Sequence, residues 1–201
     1  MKAGLLAWAH AERARARRRP GPPLPVLWLF TDAERLPDPR PAAAALPRGL
    51  AGVVLRHDRH PARAAIGRDL ARICRMRRLA LVVAGDARLA GTLRAGVHLR
   101  EGRWPSVLRM RRAAGRLVTS SAHGGVGLRR AWRAGATLAF LSPVFPTASH
   151  PGAPTLGVLR WARAARQVPL PVAALGGVSA GTVRRLPRGL CRAVGGIGAM
   201  R

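Results

Sequence analysis

Two glycine pairs near the end of the chain are the residues whose type and spacing point most directly to chemistry. Gly176-Gly177 follows one apolar segment, and Gly195-Gly196 interrupts another, with Gly198 close by. Residues without side chains leave backbone N–H groups uncovered, and bare N–H groups bind anions such as phosphate. The alternative is that the glycines only relieve crowding between packed elements. The predicted phosphate-binding set on these segments is Gly176, Gly177, Ile197 and Gly198.

A long loop supplies a second candidate group. Residues 141–157 read Leu-Ser-Pro-Val-Phe-Pro-Thr-Ala-Ser-His-Pro-Gly-Ala-Pro-Thr-Leu-Gly. A loop of this length in a small domain usually serves as a lid or as a wall of a ligand site. The hydroxyls of Thr147 and Ser149 can hydrogen-bond a phosphate or a heterocycle, so both residues are predicted to contact a ligand.

The elements that position these groups follow a regular alternation. Helical patterns, such as Pro61 to Arg78 and Arg160 to Gln167, separate short apolar runs that are typical of strands buried on both faces. Such an alternation predicts an α/β protein with a single (β/α)8 TIM barrel. An open doubly wound sheet is the alternative, but it normally carries a glycine-rich fingerprint where this chain has Thr31-Asp-Ala-Glu34. The eight predicted strands are residues 26–30, 52–55, 79–83, 96–99, 116–120, 137–141, 171–175 and 193–197.

In such a barrel, residues just beyond the carboxyl ends of the strands face the active site. His98 is expected to be a core or strand-end histidine, whereas Arg56 and Ser121 are predicted to contact the substrate. The polar set selected by this rule is Asp32, Arg56, His98, Ser121, His123, Ser142, Gly176, Gly177 and Gly198.

The formal net charge of +28 suggests nucleic-acid binding. Two observations argue against it: the arginines are spread over nearly every predicted helix, and with no Tyr and three Phe there are few aromatic rings for bases to stack on. Lys2 is the single lysine, and abundant Arg, Ala, Gly and Pro together are typical of GC-rich coding. The arginines are therefore interpreted as solvated helix faces that also attract anionic ligands.

The N-terminal segment, the cysteines and the lengths of the apolar runs indicate the domain boundary and the cellular compartment. Residues 1–24 are interpreted as a basic helical extension that ends in a proline-rich break, and residues 25–201 as the barrel domain. Cys74 and Cys191 lie far apart in apolar surroundings, so they are expected to be core thiols in a reducing compartment. No apolar run reaches the roughly 18–20 residues that a bilayer requires, and the short run near the N-terminus lacks a cleavage site. We therefore expect a cytoplasmic protein without membrane contact.

Five segments in unbroken order carry a family resemblance: Leu29-Phe-Thr-Asp32, Gly96-Val-His-Leu99, Ser121-Ala-His123, Ser142-Pro-Val-Phe-Pro-Thr147 and Val172-Ala-Ala-Leu-Gly-Gly177. Together they resemble the thiamine phosphate synthase family, which includes the related thiazole tautomerases. The resemblance covers residues 26–200, and its most specific part is the Ser-Pro-Val-Phe-Pro-Thr stretch followed later by Leu-Gly-Gly. The family fold is a (β/α)8 barrel, in agreement with the pattern above.

The resemblance implies an active site with two halves, one for a diphosphate with its metal and one for a thiazole phosphate. This chain has few of the family's residues in the diphosphate half. The synthases join hydroxymethylpyrimidine diphosphate to thiazole phosphate, with carboxylates holding Mg²⁺ and cations holding the diphosphate. Here Gly85 and Arg103 stand at the two metal aspartates, His150 stands at the loop lysine, and Arg56 alone remains of the cationic motif after the second strand. Asp86 and Glu101 are the displaced candidates for metal ligands. No cofactor is therefore expected, with Mg²⁺ required only if synthase activity persists.

This chain has more of the family's residues in the thiazole phosphate half of the site. Thr147, Ser149 and Gly177 match phosphate-contacting positions, and Gly198 replaces a serine. His123 matches the acid/base histidine of the tautomerases, although synthases also carry a histidine there. The hypothesis is a thiamine-biosynthetic enzyme that binds a thiazole (carboxylate) phosphate and transfers a proton through His123. The alternatives are a divergent synthase and a non-enzymatic anion or nucleic-acid binder, and a homo-oligomer is compatible with the sequence.

Overall fold

Eight parallel strands form a closed barrel, in chain order around the ring. The structure is a computed structural model that describes residues 3–18, 23–103, 117–148 and 151–197. The ring closes where Leu27 of the first strand pairs with Val194 of the last. The predicted (β/α)8 barrel is confirmed, and the open doubly wound sheet is excluded. The strands are β1 (Leu27–Phe30), β2 (Ala51–Leu55), β3 (Ala80–Ala84), β4 (Gly96–Leu99), β5 (Val118–Ala122), β6 (Leu138–Leu141), β7 (Val172–Leu175) and β8 (Cys191–Gly196).

Helices follow the strands and cover the outside of the barrel. The connection from β4 to β5 includes residues 104–116, which lie outside the described residues. The two helices that the sequence located, at 61–78 and 160–167, begin and end within three residues of the predicted bounds. The helices are α1 (Ala3–Ala16), α2 (Arg40–Ala44), α3 (Arg63–Arg77), α4 (Ala87–Thr92), α5 (Gly125–Arg133) and α6 (Gly157–Arg166), with a 3-10 helix at Val183–Arg185.

The strand residues divide between two apolar layers because successive side chains point to opposite faces. Trp28, Phe30 and Phe140 fill the barrel interior, where the ring of Phe140 packs edge-on against Trp28 at 5.4 Å and against Phe30 at 4.9 Å. Their neighbours Leu27 and Leu29 belong to the outer layer between the strands and the helices. An interior built from large rings at β1 and β6 leaves the ends of the other strands to small and polar residues.

The N-terminal helix α1 packs on the barrel instead of projecting from it. Leu5 and Ala9 are fully buried and belong to the outer apolar layer, and α1 contacts β8 and the 3-10 helix. The Arg13 guanidinium donates to the carbonyl of Leu24 at 3.3 Å, which ties the helix to the segment leading into β1. Helix α1, which lies within the predicted basic extension, therefore contributes to the core of the barrel domain.

The charge and the cysteines are arranged as the sequence indicated. Exposed arginines lie on several helices, among them Arg72 of α3, Arg129 of α5 and Arg163 of α6. Cys74 and Cys191 are buried, and burial raises the pKa of each thiol to about 12. Among the described residues, no helix has the length and apolar character that crossing a membrane demands.

Candidate active site at the barrel mouth

The carboxyl ends of the strands meet at one end of the barrel, which we call the mouth. Since side chains alternate along a strand, a residue two positions beyond an interior residue points into the mouth. Arg56 follows interior Val54 in this way, and Ser142 follows interior Phe140. The described residues of the predicted site that lie around the mouth are Arg56, Ser121, His123, Ser142, Thr147, Gly176, Gly177 and Ile197, whereas Ser149 and Gly198 lie outside the described residues.

Asp32, also predicted at the mouth, makes its hydrogen bonds and its ion pair within the turn that follows β1. Its Oδ1 accepts hydrogen bonds from the N–H groups of Glu34 (3.2 Å) and Arg35 (2.9 Å). Its Oδ2 pairs with the Arg35 guanidinium at 2.9 Å. Because both of its carboxylate oxygens have partners there, Asp32 stabilises the turn after β1.

His123 is exposed at the end of β5, and its Nδ1 lies near both oxygens of Ser142, with the hydroxyl at 3.4 Å and the carbonyl closer. Its Nδ1 lies 3.1 Å from the carbonyl oxygen of Ser142. A carbonyl can only accept, so Nδ1 carries the hydrogen and the lone pair is on Nε2. Nε2 has no partner within the described residues, and this tautomer therefore presents a base to the mouth.

His98 lies below the mouth, in the barrel interior. Its Nδ1 is 2.8 Å from the Thr119 hydroxyl, and its ring packs against Phe30 and Phe140 at 5.6 and 5.8 Å. Burial, reinforced by the nearby Arg56 and Arg100 guanidinia, lowers the pKa of His98 to about 3. The imidazole is therefore neutral at physiological pH, and the interpretation of His98 as a strand-end core residue agrees with its surroundings.

The side chain of Ser121 accepts a hydrogen bond from the backbone of the turn that follows β4. Its Oγ accepts from the N–H of Glu101 at 3.1 Å, and the Oγ of buried Ser120 accepts from the N–H of Gly102 at 2.8 Å. These bonds fix the tight turn that follows β4, in which Glu101 and Gly102 both have positive φ. The predicted contact of Ser121 with a ligand remains a prediction beside this structural role.

The segment 142–147 docks against the end of β7 through the glycine pair. Val144 donates to the carbonyl of Leu175 at 3.0 Å, and Phe145 donates to that of Gly176 at 3.1 Å. A Cβ on Gly176 would lie 2.8 Å from Pro143 Cβ, and one on Gly177 would lie 2.7 Å from Phe145 Cβ. Close packing alone therefore requires both glycines. Their phosphate contact stays a prediction.

A cavity of about 430 Å³ opens beside this docked segment. Its described lining includes Pro146, Thr147, Gly152 and Thr155. The N–H groups of Gly177 and Ile197 have no acceptor among the described residues, so the ends of β7 and β8 keep donors for an anion.

Arg56 is positioned by a hydrogen-bond chain that sequence reasoning did not find. The N–H of Arg56 donates to the Thr31 hydroxyl at 2.9 Å, and that hydroxyl lies 2.9 Å from Nδ1 of buried His57. Nε2 of His57 lies 3.2 Å from the carbonyl of Pro37, so Nε2 carries the hydrogen and Nδ1 accepts from Thr31. The chain links the loops after β1 and β2.

The two displaced carboxylates do not fit a magnesium site. Asp86 caps α4, accepting from the N–H of Leu89 at 2.9 Å, and its other oxygen lies 3.7 Å from Arg63. Glu101 lies 3.6 Å from Arg130. Mg²⁺ needs oxygen ligands in near-octahedral geometry, and cations already occupy this neighbourhood. The described residues also contain no cluster of three acidic, histidine or cysteine side chains that could share an ion.

Fold and mouth together define a (β/α)8 barrel protein with a candidate ligand site at the carboxyl ends of the strands. A family model described as thiamine monophosphate synthase matches residues 28–199, nearly the whole barrel. The chain therefore belongs to the thiamine monophosphate synthase family, as the sequence resemblance predicted.

Individual relatives agree with this assignment. A thiamine-phosphate synthase of Thiobacillus denitrificans is 35% identical over 68% of this chain and 67% of its own length. One from Myxococcus xanthus is 46% identical over 32% of this chain and 30% of its own. The matched segment spans 45% of a further relative from Aquifex aeolicus, so the chain aligns with less than half of two of these proteins. A thiamine phosphate pyrophosphorylase from Pyrococcus furiosus shares the fold, with a TM-score of 0.74, 23% identity and coverage of 87% and 86% of the two chains.

Proposed function

We propose that this protein is a proton-transfer enzyme of thiamine biosynthesis that binds a thiazole carboxylate phosphate or thiazole phosphate in the barrel mouth, with His123 as its acid and base. The observation that carries the proposal is the hydrogen bond from His123 Nδ1 to the carbonyl of Ser142, which leaves the Nε2 lone pair available.

The chemistry required of His123 is a proton relocation. Nε2 takes a proton from one ring atom of the thiazole, the conjugated electrons shift, and the imidazolium returns the proton to a second atom. The Ser142 carbonyl holds Nδ1–H throughout and stabilises the imidazolium between the two steps. No bond other than those to the proton is formed or broken, so the reaction needs neither a leaving group nor an oxidant.

Phosphate binding is proposed for the β6–β8 side of the mouth. Thr147 lines the cavity formed by the loop after β6, and the N–H groups of Gly177 and Ile197, which have no acceptor among the described residues, would supply donors. Ser149 and Gly198 belong to the same proposed set. Bare amides and hydroxyls recognise phosphate without a metal.

The second candidate function is synthase activity, which the names of the curated relatives favour. The pairing of Asp86 and Glu101 with arginines weighs against it, because a magnesium diphosphate needs free carboxylates. Non-specific nucleic-acid binding is the third, and it rests on the net charge of +28.

The test is to follow tautomerisation of thiazole carboxylate phosphate by NMR with wild type, His123→Ala and His10→Ala. His10 is exposed on α1, away from the mouth, and is the matched control. We expect His123→Ala to lower the rate by roughly 100-fold or more and His10→Ala to leave it unchanged.

Three results would contradict the proposal. The first is equal rates for the two variants. The second is Mg²⁺-dependent pyrophosphate release from hydroxymethylpyrimidine diphosphate and thiazole phosphate, abolished by Asp86→Asn, which would establish synthase activity instead. The third is steeply salt-dependent binding to arbitrary DNA without turnover of either thiazole, which would favour the nucleic-acid binder.

A further inference from the structure

A groove lies at the base of the barrel, the end opposite the mouth at which the amino ends of the strands meet. Its volume is about 550 Å³. Its walls are the end of α6, the residues 168–171 that lead into β7, and the residues 189–190 that lead into β8. We call it the base groove. Because the candidate active site lies at the carboxyl ends of the strands, the base groove is separate from that site.

The floor of the base groove, residues 168–171, is apolar and preformed. Val168 and Leu170 are buried, whereas Pro169 is exposed. Each of the two prolines has a fixed φ and no N–H group. The carbonyl of Pro171 accepts from the N–H of Ala139 at 3.0 Å, which holds the segment against β6. A preformed floor loses little conformational entropy on binding, so it suits an apolar side chain of a partner.

Two arginines of α6 lie beside the base groove and have no carboxylate partner in the described ranges of the chain. Arg166 lines the groove, and Arg163 lies one turn earlier on the same face of the helix. Both residues are exposed, and neither is within 4 Å of a described carboxylate. Their guanidinium groups can therefore bind an anionic partner without first breaking an ion pair.

The acidic residues of the chain are confined to its first half. Residues 102–201 contain 16 arginines and no Asp or Glu, and all eight acidic residues lie within residues 1–101. Because the strands follow chain order around the ring, β5–β8 and α6 form one side of the barrel. A bias toward GC-rich codons acts on the whole chain and does not explain this separation. The charge on this side of the barrel is complementary to that of an acidic partner.

We propose that the base groove binds an acidic segment of a partner protein, which places an apolar side chain on residues 168–171 and its carboxylates on Arg163 and Arg166. A guanidinium binds a carboxylate with two parallel N–H donors. The apolar floor adds a contact that a polyanion without apolar groups cannot make. The inference does not rest on the proposed function, because the base groove lies at the opposite end of the barrel from the mouth.

Other occupants suit the base groove less well. Its described lining includes no aromatic ring on which a nucleic-acid base could stack. A second copy of this chain would bring another net charge of +28 towards the same arginines. Pro169 and Pro171 have no backbone N–H with which to hold a free phosphate. The observations therefore favour a polypeptide that combines carboxylates with apolar side chains.

The test is fluorescence anisotropy with a labelled synthetic peptide of repeating Glu-Leu, at about physiological ionic strength. A poly-Glu peptide with the same number of carboxylates should bind wild type more weakly. Combining Arg163→Gln with Arg166→Gln should weaken Glu-Leu binding roughly fivefold, as for two exposed ion pairs. Combining Arg72→Gln with Arg75→Gln removes the same charge, at the same spacing, from the exposed face of α3 and should leave the affinity unchanged.

A second pair of variants tests the apolar floor. Pro169→Asp places a carboxylate in the base groove, where it repels the peptide and interrupts the apolar surface, so the affinity should fall. Pro61→Asp makes the same change at an exposed proline in the first half of the chain and should leave the affinity unchanged. Circular dichroism checks that each variant is folded.

Several results would overturn the inference. Equal losses in the α6 and α3 double variants would show that net charge alone attracts the peptide. Equal binding of the two peptides, or binding of neither, would show that the floor receives no apolar side chain. Duplex DNA binding that falls in the α6 variant while peptide binding does not would make this a nucleic-acid surface. A dimer in sedimentation that dissociates in the α6 variant would make it an interface between copies. None of these measurements uses a thiazole, so they are independent of the test of the proposed function.

Discussion

Replacing Gly177 by alanine tests how tightly the segment 142–147 is held against β7. Gly177 has φ +64°, and its added methyl would lie 2.7 Å from Phe145 Cβ and closer still to the carbonyl oxygen of Pro146. The left-handed conformation costs an alanine about 1–2 kcal/mol, and overpacking a close-packed site costs about 1–3 kcal/mol. The stiffer unfolded chain offsets about 0.4–1 kcal/mol of this. We expect a net loss of roughly 2–4 kcal/mol in the free energy of unfolding.

Gly135→Ala is the matched control. Gly135 ends α5 with φ +77°, and a Cβ there has nothing within 4 Å. This variant bears the conformational cost without the overlap, so its loss should be about 1 kcal/mol. In a chain of this size each kcal/mol lowers Tm by roughly 2–4 °C. Gly177→Ala should therefore melt about 5–15 °C below wild type and clearly below the control.

Thermal and urea unfolding of both variants, followed by circular dichroism, measure the difference. The steric reasoning is wrong if Gly177→Ala and Gly135→Ala melt within about 1 °C of each other, a gap well below the shift for one kcal/mol. A second readout is thiazole phosphate affinity. It should fall in Gly177→Ala, because Thr147 follows the displaced segment, and should be unchanged in Gly135→Ala.

Two further predictions concern the barrel itself. The pKa of His98 is lowered to about 3 in the folded protein, against 6.5 when unfolded, so the unfolded state binds the extra proton and stability should fall as pH drops from 6.5 towards 3. Urea titrations should show a slope of up to about 1.4 kcal/mol per pH unit that His98→Gln lacks, and equal slopes would contradict the assignment. Leu5→Ala should cost about 2–5 kcal/mol because Leu5 of α1 is fully buried in the outer apolar layer, whereas Leu159→Ala, at a side chain that is 86% exposed, should cost almost nothing. Equal melting temperatures would show that α1 does not contribute to the core.

The barrel could be predicted because its strands are apolar on both faces. The continuous run Val26-Leu-Trp-Leu-Phe30 matches β1 closely, and the alternation with helices indicated a parallel, closed sheet. The end of β5 was placed two residues too early, at Ser120 instead of Ala122. Its last residues are hydroxyl-bearing, and Thr119 and Ser120 are fully buried because their oxygens bond to His98 and to the turn after β4. Polarity alone cannot distinguish such a strand from a loop.

The candidate site could be predicted only in part, because its contacts join residues that are far apart in the sequence. The rule for strand ends selected Arg56 and His123, but no pattern in the sequence predicts that Asp58 pairs with Arg100, 42 positions away. Arg63 lies at the start of α3 and not at a strand end, so the rule could not select it. Arg100 directly follows the apolar segment of β4, so the rule for strand ends applies to it as well as to its neighbour Glu101.

One property of the chain, its excess of basic over acidic residues, bears on what the mouth can bind. The chain has thirty-six lysine and arginine residues and eight acidic ones, and seven of the eight carboxylates lie within 4 Å of a guanidinium. A carboxylate such as Asp86 would have to leave an arginine in order to hold Mg²⁺, whereas no carboxylate within the described ranges pairs with Arg56. We therefore expect guanidinium and backbone N–H groups, and not a metal, to bind an anion here. This favours a reaction in which charge is bound but no diphosphate departs, such as the proton transfer proposed for His123.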